Sequence, residues 1–184
     1  SGRFTDNLQP GTYICRQCGL ALFRASQKFH SGCGWPSFED ELPDAIGYSA
    51  DQDGIRTEII CNRCRAHLGH VFYGEKLTSK NKRHCVNLVS IEFIRNLEVL
   101  DTEEAILAGG CFWGVEYYFQ KLEGILLTEV GYCGGHQVNP SYEEVCSHLT
   151  GHVEAMRVIY DPKVISFEKV IEFFFETHDP SHVN

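Results

Sequence analysis

The sequence predicts two modules, a β-rich module with a metal site followed by an α/β module, specifically an α+β sandwich on a mixed sheet. Residues 1–98 carry 12 basic and 11 acidic side chains and residues 99–184 carry 4 and 14, so the charge character changes near Glu98. Six of the nine cysteines lie in the first part. Strand-like runs fill that part, whereas helical periodicity is confined to the second.

The length of 184 residues allows two small domains. We place them at residues 1–94 and 103–184, with a short linker at 95–102. Ala105 to Val115 is an apolar run of 11 residues, against roughly 20 needed to span a bilayer. The sequence does not open with a signal peptide. We therefore expect no membrane partner and a cytoplasmic location, with the reservation that a trimmed start would hide an export signal.

Short strands are expected in the first module at Thr12 to Ile14, Gly54 to Ile60 and Cys85 to Ile94. Glycines and prolines between these runs indicate turns. The second module alternates between strand-like and helical segments. Its predicted strands are Ala105 to Ala108, Ile125 to Val130 and Ala155 to Tyr160. Its helical stripes are Phe112, Val115, Phe119 and Leu122, and then Phe167, Val170, Ile171, Phe174 and Phe175 behind a cap at Ser166.

Two Cys-x-x-Cys pairs suggest a metal centre in the first module. Cys15 and Cys18 form one pair, and Cys61 and Cys64 form the other. Four thiolates suit tetrahedral zinc and leave no open coordination position, so a single structural Zn²⁺ is expected. The alternative is four small buried hydrophobic residues. A zinc ribbon often binds nucleic acid, but the net charge of −9 argues against that partner.

Cys85 is a candidate reactive thiol. In a strand, Arg83, Cys85 and Asn87 share one face, so a cation and an amide would flank the sulfur. A neighbouring cation lowers the pKa of a thiol and favours the nucleophilic thiolate. An inert buried strand residue is an equal alternative from the local sequence. Cys33 lies between Gly32 and Gly34, in a turn that could carry its thiol to a second sulfur.

Four ordered motifs give the first module a family resemblance: Gly11 to Gly19, Ser31 to Phe38, Cys61 to Phe72 and Arg83 to Asn87. Together they resemble methionine sulfoxide reductase B. The resemblance implies zinc on the two Cys-x-x-Cys pairs, Cys85 as the nucleophile and Cys33 as the resolving thiol. It implies that Trp35 receives the substrate methyl group, and that His67, His70, Arg83 and Asn87 surround the reacting sulfur. The sequence Tyr73-Gly-Glu-Lys76 departs from the acidic turn of many members.

Cys111 is the candidate thiol of the second module. It lies in Gly109-Gly-Cys-Phe-Trp-Gly114, between a predicted strand and a predicted helix. The free amides and the dipole of a helix N-terminus favour a thiolate there. Phe112 and Trp113 would supply an apolar wall, although ordinary packing at a tight turn is the alternative for Phe112.

Glu144 has two interpretations. Ser141-Tyr-Glu-Glu144 fits a capping box, in which the glutamate only satisfies amides at the start of a helix. A carboxyl with a raised pKa beside an apolar thiol site could instead donate a proton. The box by itself favours the cap.

The second module resembles methionine sulfoxide reductase A over residues 104–184. The motifs are Gly109 to Gly114, Gly131 to Gly135, Pro140 to Cys146, Thr150 to His152, Tyr160 to Pro162 and His178 to Pro180. The resemblance implies Cys111 as the nucleophile, Phe112 and Trp113 as the methyl pocket, and Tyr132, Glu144 and Asp179 at the sulfoxide oxygen. The family continues beyond the position of Asn184, so we expect this module to be incomplete and the chain to be trimmed at both ends. Cys133 and Cys146 are candidate resolving thiols, with a structural role as the alternative for each.

Both resemblances imply one reaction. A thiolate attacks the sulfoxide, methionine leaves, and the resulting cysteine sulfenic acid forms a disulfide that an external reductant reopens. The first module would reduce the R epimer and the second the S epimer, with the methionine sulfoxide either free or in oxidised proteins. We expect a thioredoxin-like reductant and no organic cofactor. The alternative is a zinc-binding redox sensor or interaction module without turnover.

Overall fold

The structure is a computed structural model that describes residues 4–178. The chain divides into two compact units, Ser1–Thr102 and Glu103–Asn184. We call them the first and the second unit. Across the described residues, none of the helices is long and apolar enough to cross a membrane.

In its described part, the first unit consists of two antiparallel sheets and short 3₁₀ turns. One sheet has the order β2-β1-β9 and the other the order β3-β4-β8-β7-β6-β5. The strands are β1 (Gly11–Cys15), β2 (Ala21–Arg24), β3 (Lys28–Phe29), β4 (Ser37–Phe38), β5 (Ile46–Ala50), β6 (Thr57–Cys61), β7 (His67–Tyr73), β8 (Lys82–Val86) and β9 (Ile91–Arg95). The prediction of a β-rich first module is confirmed.

Aromatic rings from both sheets form the core of the first unit. Phe38 of β4 stacks on Phe23 of β2 with ring centroids 4.4 Å apart, and Tyr13 of β1 meets Phe38 edge-on at 4.9 Å. All three side chains are fully buried. Offset and edge-on ring pairs add stability beyond the burial of their area. This core supports β4, which pairs with the strand of Cys85.

The prediction of one continuous strand from Cys85 to Ile94 is wrong. It divides into β8 and β9, which belong to different sheets. The carboxamide oxygen of Asn87 accepts a hydrogen bond from the backbone N–H of Val89 and caps a 3₁₀ turn at Leu88–Ser90. Such a local side-chain bond gives the backbone an alternative to the sheet and breaks the strand.

The segment that we predicted as a linker packs against the first unit. Thr12 Oγ1 donates to the carbonyl of Leu97 and accepts from the N–H of Val99. The hydroxyl of Thr102 donates to the carbonyl of Gly19. Val99 and Thr102 are buried. These contacts explain why the boundary between the units falls after Thr102.

The second unit has one sheet of order β10-β12-β11 in the described residues. Its elements are β10 (Glu103–Leu107), α1 (Phe112–Phe119), β11 (Ile125–Cys133), α2 (Tyr142–Cys146), β12 (Val153–Tyr160) and α3 (Phe167–Glu176). Each predicted strand and helix of this module therefore has a counterpart.

We expected a mixed sheet in this module, and that prediction is wrong. Every described pairing in this sheet is antiparallel. The alternation of strand, helix and strand does make β10 and β11 run in the same direction. β12 lies between them and pairs antiparallel with both. The order of elements along the chain predicts the relative direction of β10 and β11. It does not reveal that β12, a strand from later in the chain, lies between them.

Both long helices bury apolar stripes against this sheet. Val115 and Phe119 of α1 and Val170 and Phe174 of α3 share one core with Met156 and Val158 of β12. The hydroxyl oxygen of Ser166 accepts from the N–H of Lys169, so the predicted cap of α3 is present. The core fixes the start of α1, where Cys111 lies.

Candidate functional site

Four cysteines of the first unit form a cluster that could hold a metal ion. Their Sγ atoms all lie within 4.8 Å of one another, with Cys15 3.6 Å from Cys64 and Cys18 3.6 Å from Cys61. Tetrahedral zinc with Zn–S bonds of about 2.3 Å has S–S separations of about 3.8 Å. The thiols titrate as a coupled cluster, in which hydrogen bonds with Cys15 and Cys18 lower the pKa of Cys61 while the pKa values of Cys15 and Cys18 are raised. The donor set and its spacing therefore fit a zinc ion.

Each Cys-x-x-Cys pair is held in a turn with the same hydrogen bonds. The N–H of Gly19 donates to the carbonyl of Cys15, and the N–H of Arg65 donates to that of Cys61. Cys15 ends β1 and Cys61 ends β6, so one knuckle lies in each sheet. The 42 residues between Cys18 and Cys61 form the intervening strands of the fold.

Cys33 and Cys85 lie together, with their Sγ atoms 3.6 Å apart. Cys85 is fixed in β8, opposite Ser37 of β4 and His70 of β7. Cys33 is exposed in a turn in which Gly32 and Gly34 have φ values of 76° and 83°. Glycine adopts these left-handed values without steric cost. One sulfur is therefore held rigidly, while the other lies in an adaptable loop.

Arg83 is buried and oriented by an acidic side chain that the sequence analysis did not assign. Its guanidinium makes two hydrogen bonds to Glu75, at 2.7 and 2.8 Å, and lies over the ring of Phe72. Its Nη1 is 3.5 Å from the sulfur of Cys33. Glu75 belongs to the turn that departs from the family pattern. Its role, which is to orient Arg83, becomes visible in the pairing of the two side chains.

We predicted that the cation of Arg83 would lower the pKa of Cys85; Arg83 acts in that direction, but its effect is outweighed. Burial raises the pKa of Cys33, but hydrogen bonds from Ser31 and Ser37 outweigh it and lower that pKa to about 7. Burial and the contact with Cys33 raise the pKa of Cys85 to about 11, against the opposing effect of Arg83. The resting pair therefore carries its first negative charge on Cys33.

Of the other predicted residues of this site, His70 lies across the strand pair from Cys85, and the carbonyl of Trp35 lies 3.6 Å from the sulfur of Cys33. Trp35 is 43% exposed. His70 Nε2 lies 2.6 Å from Asp51, and His67 Nδ1 lies 2.5 Å from Glu58. The two imidazoles are 5.5 Å apart, edge to face. These carboxylates fix the ring orientations, so each histidine presents a defined face. Asn87, whose side chain caps the 3₁₀ turn, follows Cys85 by two residues.

Cys111 of the second unit occupies the N-cap position of α1 and is exposed. It lines a pocket of about 220 Å³. The other lining residues are Gly110, Tyr142, Val145, Cys146, His148, His152, Val153 and Glu154. A thiol at the start of a helix, in a pocket with a phenol and a carboxylate, has the groups that nucleophilic attack and proton donation require.

The predicted aromatic wall is present beside this thiol. Phe112 is buried, and its ring lies 5.9 Å from that of Tyr132 and 6.1 Å from that of Trp113. Trp113 is 71% exposed. Tyr132 of β11 pairs across the sheet with Glu154 of β12. Asp179, the remaining predicted residue, lies outside the described residues.

Glu144 forms the capping box and is not among the residues that line the pocket. Its carboxylate accepts from the N–H of Ser141 at 2.7 Å, and its own N–H donates to the hydroxyl of Ser141. The bond from the Ser141 amide lowers the pKa of Glu144. The capping-box interpretation of Glu144 is therefore confirmed, and its role as the acid stays a prediction.

Glu154 and Tyr142 are the pocket residues that the sequence analysis missed. The carboxylate of Glu154 accepts from the N–H of Phe112 at 3.0 Å, which places it at the start of α1 beside Cys111. A hydrogen bond with Cys146 and the charge of Glu154 raise the pKa of Tyr142. The available signal was a carboxylate in the otherwise apolar beginning of β12, two residues after His152.

A close pair of thiols, a pocket lined by Cys111 and a separate Cys₄ cluster are typical of a thiol-based redox protein. Comparison with known families makes this class specific. The chain belongs to the SelR domain family, whose model matches residues 1–95, and residues 103–184 match the model of the peptide methionine sulfoxide reductase family. The β-rich unit therefore precedes the residues that match the second family within one chain.

Several characterised proteins are similar to parts of the chain. Peptide methionine sulfoxide reductase MsrA of Pelagibacter ubique is 54% identical over 82 residues, covering 45% of this chain and 56% of that protein. Peptide methionine sulfoxide reductase B8 of Arabidopsis thaliana is 50% identical over 93 residues, covering 50% and 65%. A solved structure of methionine sulfoxide reductase A of Corynebacterium diphtheriae matches at 38% identity and a TM-score of 0.42, covering 44% and 38%. The chain thus spans between half and two thirds of the length of these two curated relatives.

Proposed function

We propose that the chain reduces methionine sulfoxide at two sites, the R epimer in the first unit and the S epimer in the second. The observation that carries the proposal is the contact between the sulfurs of Cys33 and Cys85, with the partly exposed Trp35 two residues after Cys33 in the same turn. It brings together a nucleophile, a resolving thiol and an apolar surface for a methyl group. Each enzyme of this class reduces one epimer of methionine sulfoxide, so a chain with two sites could reduce both epimers.

In the first unit, Cys85 is the nucleophile, because β8 holds it between β4 and β7. Its thiolate attacks the sulfoxide sulfur while the oxygen is protonated, methionine leaves, and Cys85 becomes a sulfenic acid. Trp35 contacts the methyl group of the substrate. His70, the cross-strand neighbour of Cys85, supplies the proton, with Asp51 fixing its ring. His67 and Asn87 form the wall of the substrate site on the side of the 3₁₀ turn.

Recycling of this site follows from the position of Cys33. Its thiol condenses with the sulfenic acid on Cys85, forming a disulfide and releasing water. Only a small movement of the glycine turn is needed, because the sulfurs begin 3.6 Å apart and a disulfide requires about 2.05 Å. An external dithiol protein of the thioredoxin class then reduces the disulfide.

In the second unit, Cys111 attacks the S epimer, and Phe112 and Trp113 enclose its methyl group. We favour Glu154 over Glu144 as the candidate acid for the sulfoxide oxygen, with Tyr142 as a hydrogen-bond donor beside it. The support is that Glu154 and Tyr142 line the same pocket as Cys111. Tyr132 lies behind Phe112 and completes the aromatic wall.

We also propose one structural Zn²⁺ on the four clustered cysteines. The ion would tie β1 to β6 and thus join the two sheets of the first unit. All four positions would be occupied by sulfur, so the ion would take no part in the reaction. Metal analysis of the purified chain should find one zinc per chain, and Cys64→Ser should lower both the zinc content and the melting temperature. A metal-free chain of normal stability would contradict this role.

The second unit is proposed to be an α+β sandwich, because α1 and α3 bury their stripes against one sheet. For the whole chain we propose a cytoplasmic location, as expected from the sequence. The substrate is methionine sulfoxide, free or in oxidised proteins.

The test is turnover of the purified chain on separated R and S epimers of methionine sulfoxide with dithiothreitol as the reductant. Dithiothreitol bypasses the natural reductant, so recycling does not limit the rate. Methionine should form from both epimers. A chain denatured and then reduced serves as the control for uncatalysed reduction.

Activity on one epimer alone would restrict the proposal to the corresponding unit. Activity on neither, with the metal bound and the fold intact, would overturn the enzymatic proposal. That result would favour a metal-binding redox sensor or interaction module.

A further inference from the structure

The second unit needs a partner thiol after Cys111 has been oxidised. In the sequence from Glu103 to Asn184, the cysteines other than Cys111 are Cys133 and Cys146. A sulfenic acid that forms no disulfide is open to further, irreversible oxidation. Between these two thiols, the better candidate to resolve Cys111 is the one that can reach it.

Cys146 shares the pocket of Cys111. Both residues line the same cavity of about 220 Å³, and both are exposed. Tyr142 interacts with both thiols. It hydrogen-bonds Cys146, and the charge of Cys111 contributes to the raised pKa of Tyr142. An exposed thiol in the pocket of the nucleophile has the access that thiol chemistry requires.

Cys133 differs from Cys146 in both respects. It is partly buried and does not belong to the set of residues that line the pocket. It is the last residue of β11 and pairs with Val153 of β12. Moving its thiol to Cys111 would require that end of the sheet to open.

The element that carries Cys146 can move more cheaply than a strand of the sheet. Disulfide formation needs the two Cα atoms about 4.4–6.8 Å apart. α2 has only five residues, and Cys146 is its last. A helix this short has little stability of its own, since isolated helices below about 12–15 residues are marginal. The irregular segments 134–141 and 147–152 flank α2 on either side, and a rearrangement of its final turn leaves the ladder between β11 and β12 intact.

We propose that Cys146 is the resolving cysteine of the second unit. This inference rests on the proposed reduction of the S epimer at Cys111. The Cys146 thiol attacks the sulfur of the Cys111 sulfenic acid, an S–S bond forms, the S–O bond breaks, and the hydroxyl leaves as water with the thiol proton. The two electrons that reduced the sulfoxide have then come from the two cysteines. An external dithiol of the thioredoxin class returns them by reducing the disulfide.

The experiment compares the unaltered chain with Cys146→Ser and with the matched control Cys133→Ser. Each protein reacts with the S epimer without reductant, and methionine formed per chain is measured. Disulfide-linked peptides are then identified by mass spectrometry, and remaining sulfenic acid is trapped with dimedone. Melting temperatures verify that the exposed substitution at Cys146 leaves the fold intact.

The unaltered chain and Cys133→Ser should form methionine and a peptide that links Cys111 to Cys146. Cys146→Ser should form methionine in the first turnover but leave Cys111 reactive to dimedone. Its steady-state rate with a thioredoxin-class reductant should fall at least tenfold. Methionine formation without the link to Cys146 in the unaltered chain, or a link to Cys133, would overturn the resolving role alone. An absence of methionine would instead overturn the proposed function of the second unit, and the role of Cys146 with it.

Discussion

The pair of Cys33 and Cys85 behaves as one titrating unit, because the two sulfurs are in contact. Two hydroxyls and the guanidinium of Arg83 face Cys33, whereas Cys85 is more enclosed. The first proton therefore leaves with a pKa of about 7 and the second with a pKa of about 11. Transfer of the remaining proton from Cys85 to Cys33 would generate the attacking thiolate without a second ionisation.

This sharing of charge predicts the pH dependence of R-sulfoxide reduction. Below about pH 7 the fraction of the pair that carries a thiolate decreases, so the rate of the first turnover should fall about tenfold per pH unit. The measurement is methionine formed in a single turnover without dithiothreitol, whose own ionisation would otherwise contribute. A rate that rises only near pH 11 would show that Cys85 ionises without help from Cys33.

Two glutamates of the second unit, Glu154 and Glu144, should respond differently to the same substitution. Glu154→Gln should slow S-sulfoxide reduction roughly 100-fold, the usual scale for loss of a general acid, with little change in melting temperature. A glutamine oxygen can still accept the hydrogen bond from Phe112 that Glu154 accepts. Rates are measured at saturating substrate with dithiothreitol.

Glu144→Gln is the matched control for this comparison. Glu144 lies in the capping box, and glutamine is compatible with that motif, so the rate should remain near that of the unaltered chain. A large loss of rate from Glu144→Gln together with normal activity of Glu154→Gln would reverse the assignment.

At the scale of elements, the turn from β10 to α1 depends on a close approach between chain segments. A Cβ atom added at Gly109 would lie 2.8 Å from the ring of Phe174 in α3. Gly110 follows with a φ of 78°, in the left-handed region. The position of Cys111 is therefore coupled to how α3 packs against the sheet.

We predict that Gly109→Ala lowers the stability of the second unit by about 1–3 kcal/mol, because the ring of Phe174 must shift. S-sulfoxide reduction should fall as well, since Cys111 begins the next element. Gly114→Ala is the control, because a Cβ there meets open space and alanine favours a helix by about 1 kcal/mol. Thermal unfolding of both variants measures the difference, and equal effects would contradict the role of Phe174.

For the whole molecule, the two proposed sites use residues of separate units. Cys85→Ser should abolish reduction of the R epimer and leave reduction of the S epimer unchanged. Cys111→Ser should do the reverse. Each variant is assayed on both epimers with dithiothreitol, and its thermal unfolding is compared with that of the unaltered chain. Loss of both activities from one substitution would contradict independent sites.

Much of the fold follows from local sequence signals. The apolar stripe of α3 and its Ser166 cap and the strands of the second unit were all predicted. The mixed sheet was wrong because the place of β12 between β10 and β11 is a long-range choice. The break between β8 and β9 was missed because a single side chain, Asn87, competes with the strand.

The sequence by itself determined the two families, the four clustered cysteines and the thiols Cys33, Cys85 and Cys111, because each lies in a motif with short, fixed spacing. Only the tertiary structure decided which polar groups meet those thiols. It placed Glu75 on Arg83, gave the lower pKa to Cys33, and put Glu154 rather than Glu144 beside Cys111. Hydrogen bonds and burial act over a few ångströms in space, and residues that are distant in sequence supply them.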